Sequence, residues 1–375
     1  MSSFSFNFFD TRRKETTSSD PMESAPTPIL SLQQLPPLAF TTAKEIINNT
    51  KVSNALQQVS VPGTDTLFLV RKVVKEANDN AVVDIALKRD VLTGVYEGGF
   101  TVWECAIDLI QYFITTLGST NNNQCWANKT VVEAGCGIGL PAIHALQQGA
   151  AQVYFQDLNS EVLVKSTQAA VALNARSEDE LRRWCERSTG VETEAGASKG
   201  SGGNGGNGAR TGKSTDAGSA TPLLPAAHFV AGDWDAWETC GSEGVDVILS
   251  TDTLYAKPQI IKLTHLIHRL LKRKASATAT AHSTTLPSPC AYIAAKRYYF
   301  GVNGGTYTFE QVVQSMPPVK ALEGDFPSSA TATPTQLVLT TTLVHSIHDN
   351  ASNIRDILCV TWKSVNSHKD DDCRE

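Results

Sequence analysis

The sequence predicts an α/β fold, a parallel sheet with helices on both faces that closes in a C-terminal antiparallel hairpin. Three observations lead there. Short apolar runs alternate with segments of helical period from Trp103 to Gln314, the pattern of a parallel sheet covered on both sides. A glycine-rich turn, Gly135-Cys-Gly-Ile-Gly139, joins the first run to the helix after it. Two β-rich segments, Leu337 to Ile347 and Arg355 to Trp362, then follow with no helix between them.

Each element has its own signal. Trp103 to Thr116 carries an amphipathic helical period and leads into a strand at Thr130 to Ala134. Leu140 to Gln148 reads as a helix, with Pro141 suited to its first turn and Gly149 to its end. Val153 to Gln156 is a strand, and Ser160 to Asn174 a second helix. Strands at His228 to Ala231 and Val245 to Ser250 precede a helix at Pro258 to Leu271. A further strand at Ala291 to Ala295 and a helix near Phe309 to Gln314 complete the alternation.

This alternation places one large domain at 91–366, behind a small extension at 38–90. Residues 1–37 are expected to be unstructured, since Ser, Thr and Pro dominate from position 10 onward. Low-complexity insertions are expected at 186–222, which holds Gly200-Ser-Gly-Gly-Asn-Gly-Gly-Asn-Gly208, at 272–289 and at 325–334, with a charged tail at 367–375.

Composition excludes several classes. The 375 residues carry 32 basic and 38 acidic side chains, net −6, with 41% hydrophobic and 19% charged residues. That suffices for a sizeable core. No apolar run is long enough for a membrane helix, and the Phe-alternating start lacks a signal peptide's apolar core. The mild acidity argues against direct nucleic-acid binding through a basic face. Eight cysteines without a Cys-x-x-Cys pair, and eight histidines without a His-x-x-x-His pair, point to reduced thiols and no metal site. A cytoplasmic and nuclear location is expected on this ground.

The chemistry concentrates at successive strand ends. In Glu133-Ala-Gly-Cys-Gly-Ile-Gly139 the third glycine comes one residue early for a dinucleotide fingerprint. Glu133 would repel a pyrophosphate and attract an ammonium group. S-adenosylmethionine has no phosphate and carries an α-ammonium and a sulfonium, so the loop with Gly135 and Gly137 suits it better than NAD. Asp157, at the end of the second strand, can accept from both ribose hydroxyls. In Gly232-Asp-Trp234 the acid can accept from an adenine amine and the indole can supply an apolar wall. Taken singly, Asp157 or Asp233 could cap a helix and Trp234 could fill the core. Their joint placement at the sheet's carboxyl edge favours a ligand crevice.

With those residues in view, the chain resembles the seven-strand class I methyltransferases, and more narrowly the histidine protein methyltransferases. The pieces are Phe4-Ser-Phe-Asn-Phe8, Gly94-Val-Tyr-Glu-Gly-Gly-Phe-Thr-Val-Trp-Glu-Cys105, the Glu133 to Gly139 loop, Phe155-Gln-Asp157, and Lys296-Arg-Tyr-Tyr-Phe-Gly-Val-Asn-Gly-Gly305. The resemblance implies a Rossmann-like seven-strand sheet and S-adenosylmethionine as cofactor. It implies a histidine acceptor in a protein, a large-subunit ribosomal protein. It carries the cofactor site onto Trp103, Glu104, Gly135, Gln156, Asp157, Leu158, Gly232, Asp233, Trp234 and Ser250. Asp252-x-x-Tyr255 looks like the acid-x-x-aromatic motif of lysine-directed relatives, where it faces the methyl acceptor.

A histidine acceptor is undemanding, because an imidazole with a pKa of about 6.5 is mostly neutral already. What it needs is a group that fixes the tautomer. Asp252 is the expected orienting group and Tyr255 the wall of the acceptor channel, although Asp252 could equally cap the helix that follows. The alternatives are a lysine-directed protein methyltransferase and a non-catalytic cofactor-binding module associated with ribosomes.

Overall fold

The computed structural model describes residues 31–52, 55–73, 81–88, 91–92, 95–117, 125–186, 226–240, 244–273, 286–320, 336–349 and 353–365. The elements begin with β1 (Gln33–Gln34), α1 (Phe40–Val52), β2 (Leu56–Ser60), β3 (Leu67–Arg71), α2 (Ala81–Ala86) and α3 (Glu104–Tyr112). They continue with β4 (Thr130–Ala134), α4 (Leu140–Gln147), β5 (Gln152–Asp157), α5 (Ser160–Val162), α6 (Gln168–Leu173), α7 (Glu178–Glu186) and β6 (Ala226–Ala231). The last are β7 (Val247–Thr251), α8 (Lys257–Leu270), β8 (Cys290–Lys296), α9 (Thr306–Gln314), β9 (Val319–Lys320), β10 (Gln336–His348) and β11 (Ile354–Val365).

Among the described residues, one sheet runs β1-β6-β5-β4-β7-β8-β11-β10-β9. The strands from β6 to β8 are parallel, β11 runs antiparallel to β8, and β10 pairs antiparallel with β11. The seven expected strands are its inner members. The order reverses beside β4, which opens a crevice above the carboxyl ends of β4 and its neighbours.

The parallel strands are buried because both faces are covered. Along β4, Val131 packs into one apolar cluster with Leu109, Ile143 and Phe155. Val132, one residue on, packs into the other with Ile248, Leu263 and Ile267. The two-residue period of a strand thus feeds two cores at once. At the start of α4, Gly139 has φ +83°, and a Cβ there would lie 2.8 Å from the Phe155 ring.

Several expectations need correction. Gln33 and Gln34 pair antiparallel with Ala231 and Val230, so β1 lies inside the stretch read as unstructured. The helix expected over 160–174 is α5 and α6 with a π-helical turn at Leu163–Thr167 between them. A similar turn, Phe113–Leu117, ends α3. The insertion expected at 272–289 is too wide at both ends, since Lys272 pairs with Asp246 at 3.0 Å at its start and Leu286 is buried near its end. Residues 1–30, 187–225, 274–285, 321–335 and 366–375 lie outside the described residues.

The extension has a definite seat. The β2–β3 hairpin packs on α6, where the Asn174 side chain accepts from the Leu69 N–H at 2.8 Å and donates to the Leu69 carbonyl at 2.7 Å. α1 packs against α6 and α7. Among the described residues no helix is long and apolar enough to cross a membrane. The seven cysteines described are free thiols.

Candidate functional site

A cavity of about 300 Å³ opens at the carboxyl edge of the sheet. Its floor is the loop from Gly135 to Leu140, its far walls are Gln156 to Leu158 and Gly232 to Trp234, and its near wall is Thr251 to Tyr255. A roof comes from Glu97 to Trp103, the segment that leads into α3.

The floor is held by its own hydrogen bonds. Gly135 N–H donates to Gln156 Oε1 at 3.0 Å, Cys136 N–H to the Gln156 carbonyl at 2.7 Å, and Gly137 N–H to Asp157 Oδ2 at 3.0 Å. Gly139 N–H donates to the Cys136 carbonyl at 2.8 Å. All four glycine-loop donors named here are therefore spent inside the protein. Gly137, at φ +52°, leaves room for the roof, since a Cβ there would stand 3.0 Å from the Gly99 carbonyl oxygen.

Asp157 is buried, and its other oxygen accepts from Asn159 N–H at 3.0 Å. Burial pushes its pKa up to about 6 against the pull of those backbone donors. Gln156 also accepts from Trp234 Nε1–H at 2.6 Å and donates to the Gly232 carbonyl at 2.7 Å, which locks the two far walls together. Asp233 lines the cavity, but its Oδ2 holds Lys262 at 2.6 Å and its Oδ1 accepts from Asp235 N–H. An adenine amine would have to share that carboxylate.

On the near wall, Asp252 has φ +56°. Its Oδ2 accepts from the Cys105 backbone N–H at 3.0 Å, and its Oδ1 from the Tyr299 hydroxyl at 3.1 Å. Asp252 does cap a helix, but α3 rather than the α8 that follows it. Burial raises its pKa, partly offset by the Cys105 and Tyr299 bonds. The Tyr255 hydroxyl donates to Glu97 Oε2 at 2.6 Å, and burial together with that carboxylate pushes the phenol pKa upward.

Trp103, Gly135, Gly137, Gln156, Asp157, Leu158, Gly232, Asp233, Trp234, Asp252 and Tyr255 all line this cavity. Three expected residues do not. Glu133 is fully buried, with Oε2 accepting from Ala142 N–H at 2.9 Å, so it serves the first turn of α4. Ser250 is fully buried and donates to the Ala134 carbonyl at 2.8 Å, which ties β7 to β4. Glu104 points outward and lies 3.6 Å from Arg355.

The sequence reading missed Glu97, Thr101, Gln259 and Lys262. Glu97 stands in the quoted Tyr-Glu-Gly-Gly piece, whose two glycines were the available signal for a close backbone approach. Lys262 sits on one turn of α8, where a helical period marks only a polar face. Tyr299 falls in the Lys296 to Gly305 piece that carries the resemblance and is bound to Asp252, while its neighbours Tyr298 and Phe300 are exposed. Among the described residues no group of three or more His, Cys, Asp or Glu could hold a metal ion.

A family model described as "Lysine methyltransferase" matches residues 80–187. A histidine protein methyltransferase 1 homolog from Dictyostelium discoideum is 29% identical over 277 residues, 74% of this chain and 62% of that protein. The Bos taurus homolog is 31% identical over 60% of this chain and 50% of its own length. Histidine protein methyltransferase 1 from Schizosaccharomyces pombe is 25% identical over 67% of this chain and 68% of its own. The chain thus spans about half to two thirds of the length of these relatives. Over most of its length this chain resembles the histidine protein methyltransferases.

Proposed function

We propose that this chain is an S-adenosylmethionine-dependent protein methyltransferase that transfers a methyl group to a histidine side chain, in a large-subunit ribosomal protein. One observation carries the cofactor reading. In the glycine loop the N–H groups of Gly135, Cys136 and Gly137 are spent on Gln156 and Asp157 and that of Gly139 on the Cys136 carbonyl, so it offers a phosphate none of these donors. Four carboxylates line the cavity against one ammonium, Lys262, which is already paired with Asp233. A cationic nucleoside fits that donor set and a pyrophosphate does not.

Asp157 would face the ribose hydroxyls, the Trp234 ring would flank the adenine, and the Gly135–Gly137 backbone would admit the amino-acid end. Bound there, the sulfonium supplies an electrophilic methyl group. The chain's own task is to aim an acceptor nitrogen at it from about 3 Å and to keep water out. The near wall with Tyr255 and the roof with Glu97 form the side from which an acceptor would enter. Ribosomal proteins are made in the cytoplasm and assembled in the nucleus, so both compartments are proposed for the enzyme.

A lysine acceptor is the second reading, favoured by the description of the matching family model. A lysine with a pKa of about 10.4 must lose its proton first, and the cavity's carboxylates would oppose that loss. Two measurements test the proposal. Calorimetry should show binding of S-adenosylhomocysteine and none of NAD. Incubation with labelled methyl donor and large-subunit proteins from cells lacking this gene should place the label on histidine by mass spectrometry. Label on lysine alone would overturn the histidine assignment.

A further inference from the structure

We propose that the hairpin at 298–305 is a docking lip for the protein acceptor, which sets an apolar side chain beside its methylated residue against the rings of Phe300 and Tyr298. The inference rests on the protein methyltransferase reading above, whichever side chain takes the methyl group, and adds to it a contact surface outside the cavity. Among the described residues, the large aromatic side chains exposed to solvent are Tyr298, Phe300 and Tyr307, all within ten positions of one another. Phe300 is 81% exposed. Aromatic side chains gathered in water on one segment mark a surface that another molecule covers.

The chain beneath these rings is pinned. Tyr299 N–H donates to the Gly304 carbonyl at 3.1 Å, and Val302 N–H to the Tyr299 carbonyl at 3.5 Å, which closes a four-residue turn. Gly301 stands third in that turn with φ +83°, the sign a type II turn requires there, so Phe300 falls second, at the tip. Below the turn, Arg297 donates to both oxygens of Asp356, at 2.8 and 2.7 Å. The Thr306 hydroxyl donates to the same carboxylate at 2.9 Å, so both stems of the hairpin end on one residue of β11.

The hairpin is rooted on the near wall of the cavity. Gly305 N–H donates to the Leu254 carbonyl at 2.8 Å, and Asn303 bridges to Ala256. A Cβ at Gly304 would collide with the Tyr255 carbonyl oxygen, so only glycine allows this approach. The Tyr299 hydroxyl adds its bond to Asp252. Asp252 and Tyr255 both line the cavity. An acceptor whose side chain enters past Tyr255 therefore brings its flanking residues to the hairpin.

The tip suits an apolar contact. Its rings are uncharged, and Arg297 beneath them is paired with Asp356. A ring with two torsions on a fixed turn loses little freedom when it is covered, so most of the buried area goes into affinity.

The test compares wild type with Phe300→Ser, and with Leu67→Ser as a control that removes an exposed apolar side chain from β3. Labelled donor is held at saturation, and the undermethylated large-subunit proteins are titrated as a mixture. Phe300→Ser should raise the half-saturating concentration of the mixture by about tenfold or more, with the rate at saturation within about threefold. Its affinity for S-adenosylhomocysteine should stay within about twofold, and its thermal midpoint within about 2 °C, because the ring is exposed. Phe300→Tyr keeps the ring and should stay within about threefold of wild type in both kinetic readings. Unchanged half-saturation in Phe300→Ser would overturn the proposal, and so would an equal rise in Leu67→Ser. A thermal midpoint lowered by more than about 5 °C would overturn it too, since the chain itself would then pack on the ring. By light scattering, a wild-type dimer that Phe300→Ser turns into a monomer would assign the tip to a contact between copies instead. Wild type that binds S-adenosylhomocysteine but labels no protein would defeat the underlying reading, and that result appears before any variant is made.

Discussion

Glu133 shows how one carboxylate can couple the site's floor to pH. It is fully buried, and one oxygen accepts from Ala142 N–H while Oε1 has no hydrogen-bond partner. Burial dominates over that backbone bond and raises its pKa to about 8, from 4.5. The folded protein therefore keeps a proton that the unfolded chain releases, and stability falls as pH rises from 4.5 to about 8. Glu133→Gln keeps an oxygen for Ala142 and cannot titrate. Between pH 6.5 and 8 the wild-type thermal midpoint should fall relative to that of Glu133→Gln; a constant difference would mean that the carboxylate is charged throughout. This residue also marks a limit of legibility. Glycine spacing and acids at strand ends identified the cavity, because those patterns are local. Whether an acid at a strand end faces the ligand or the adjoining helix depends on which way the strand's pleat turns it, and Glu133 and Ser250 turn inward.

At the scale of elements, α3 is joined to the sheet by charge. Arg355 on β11 donates to Asp108 at 2.6 Å, and both side chains are about nine-tenths buried. Asp349 and Glu104 complete the guanidinium's surroundings. Burial outweighs the guanidinium at Asp108, whose pKa is raised. Removing one member of a buried pair typically costs about 3–5 kcal/mol, and the two remaining acids place Asp108→Ala near the lower figure. Urea unfolding at unchanged slope should show that loss, and a loss below about 0.5 kcal/mol would show that the other acids suffice. Nucleoside affinity should fall as well, because α3 carries the roof and accepts the Asp252 cap. None of this was legible in sequence, since residues 108 and 355 meet only through the fold. The strands and the helices α3, α4 and α8 were legible because their apolar periods are strong. β1 and α1 were not, because a two-residue strand has no period and α1 is largely polar.

For the molecule as a whole, the question is what the segment between α7 and β6 contributes. α7 packs against β6, so residues 187–225 connect two elements that are in contact. If residues 187–225 are the low-complexity insertion their composition leads one to expect, closing that loop costs roughly (3/2)RT ln n, and a loop about fivefold shorter should stabilise the fold by about 1.4 kcal/mol. A linker of about eight residues still reaches some 26 Å when extended, well beyond the rise of a nine-residue helix such as α7. Replacing residues 187–225 with a Gly-Ser linker of that length should raise the urea midpoint by a matching amount and leave nucleoside affinity within about twofold. The two readouts separate two roles. A higher midpoint with unchanged affinity and unchanged transfer would make the segment a tolerated insertion. Unchanged affinity with transfer lost would make it part of how the protein acceptor is held, since cofactor binding and folding would both have survived its removal. A lower midpoint would contradict the loop argument itself and assign this glycine-rich stretch a place in the fold.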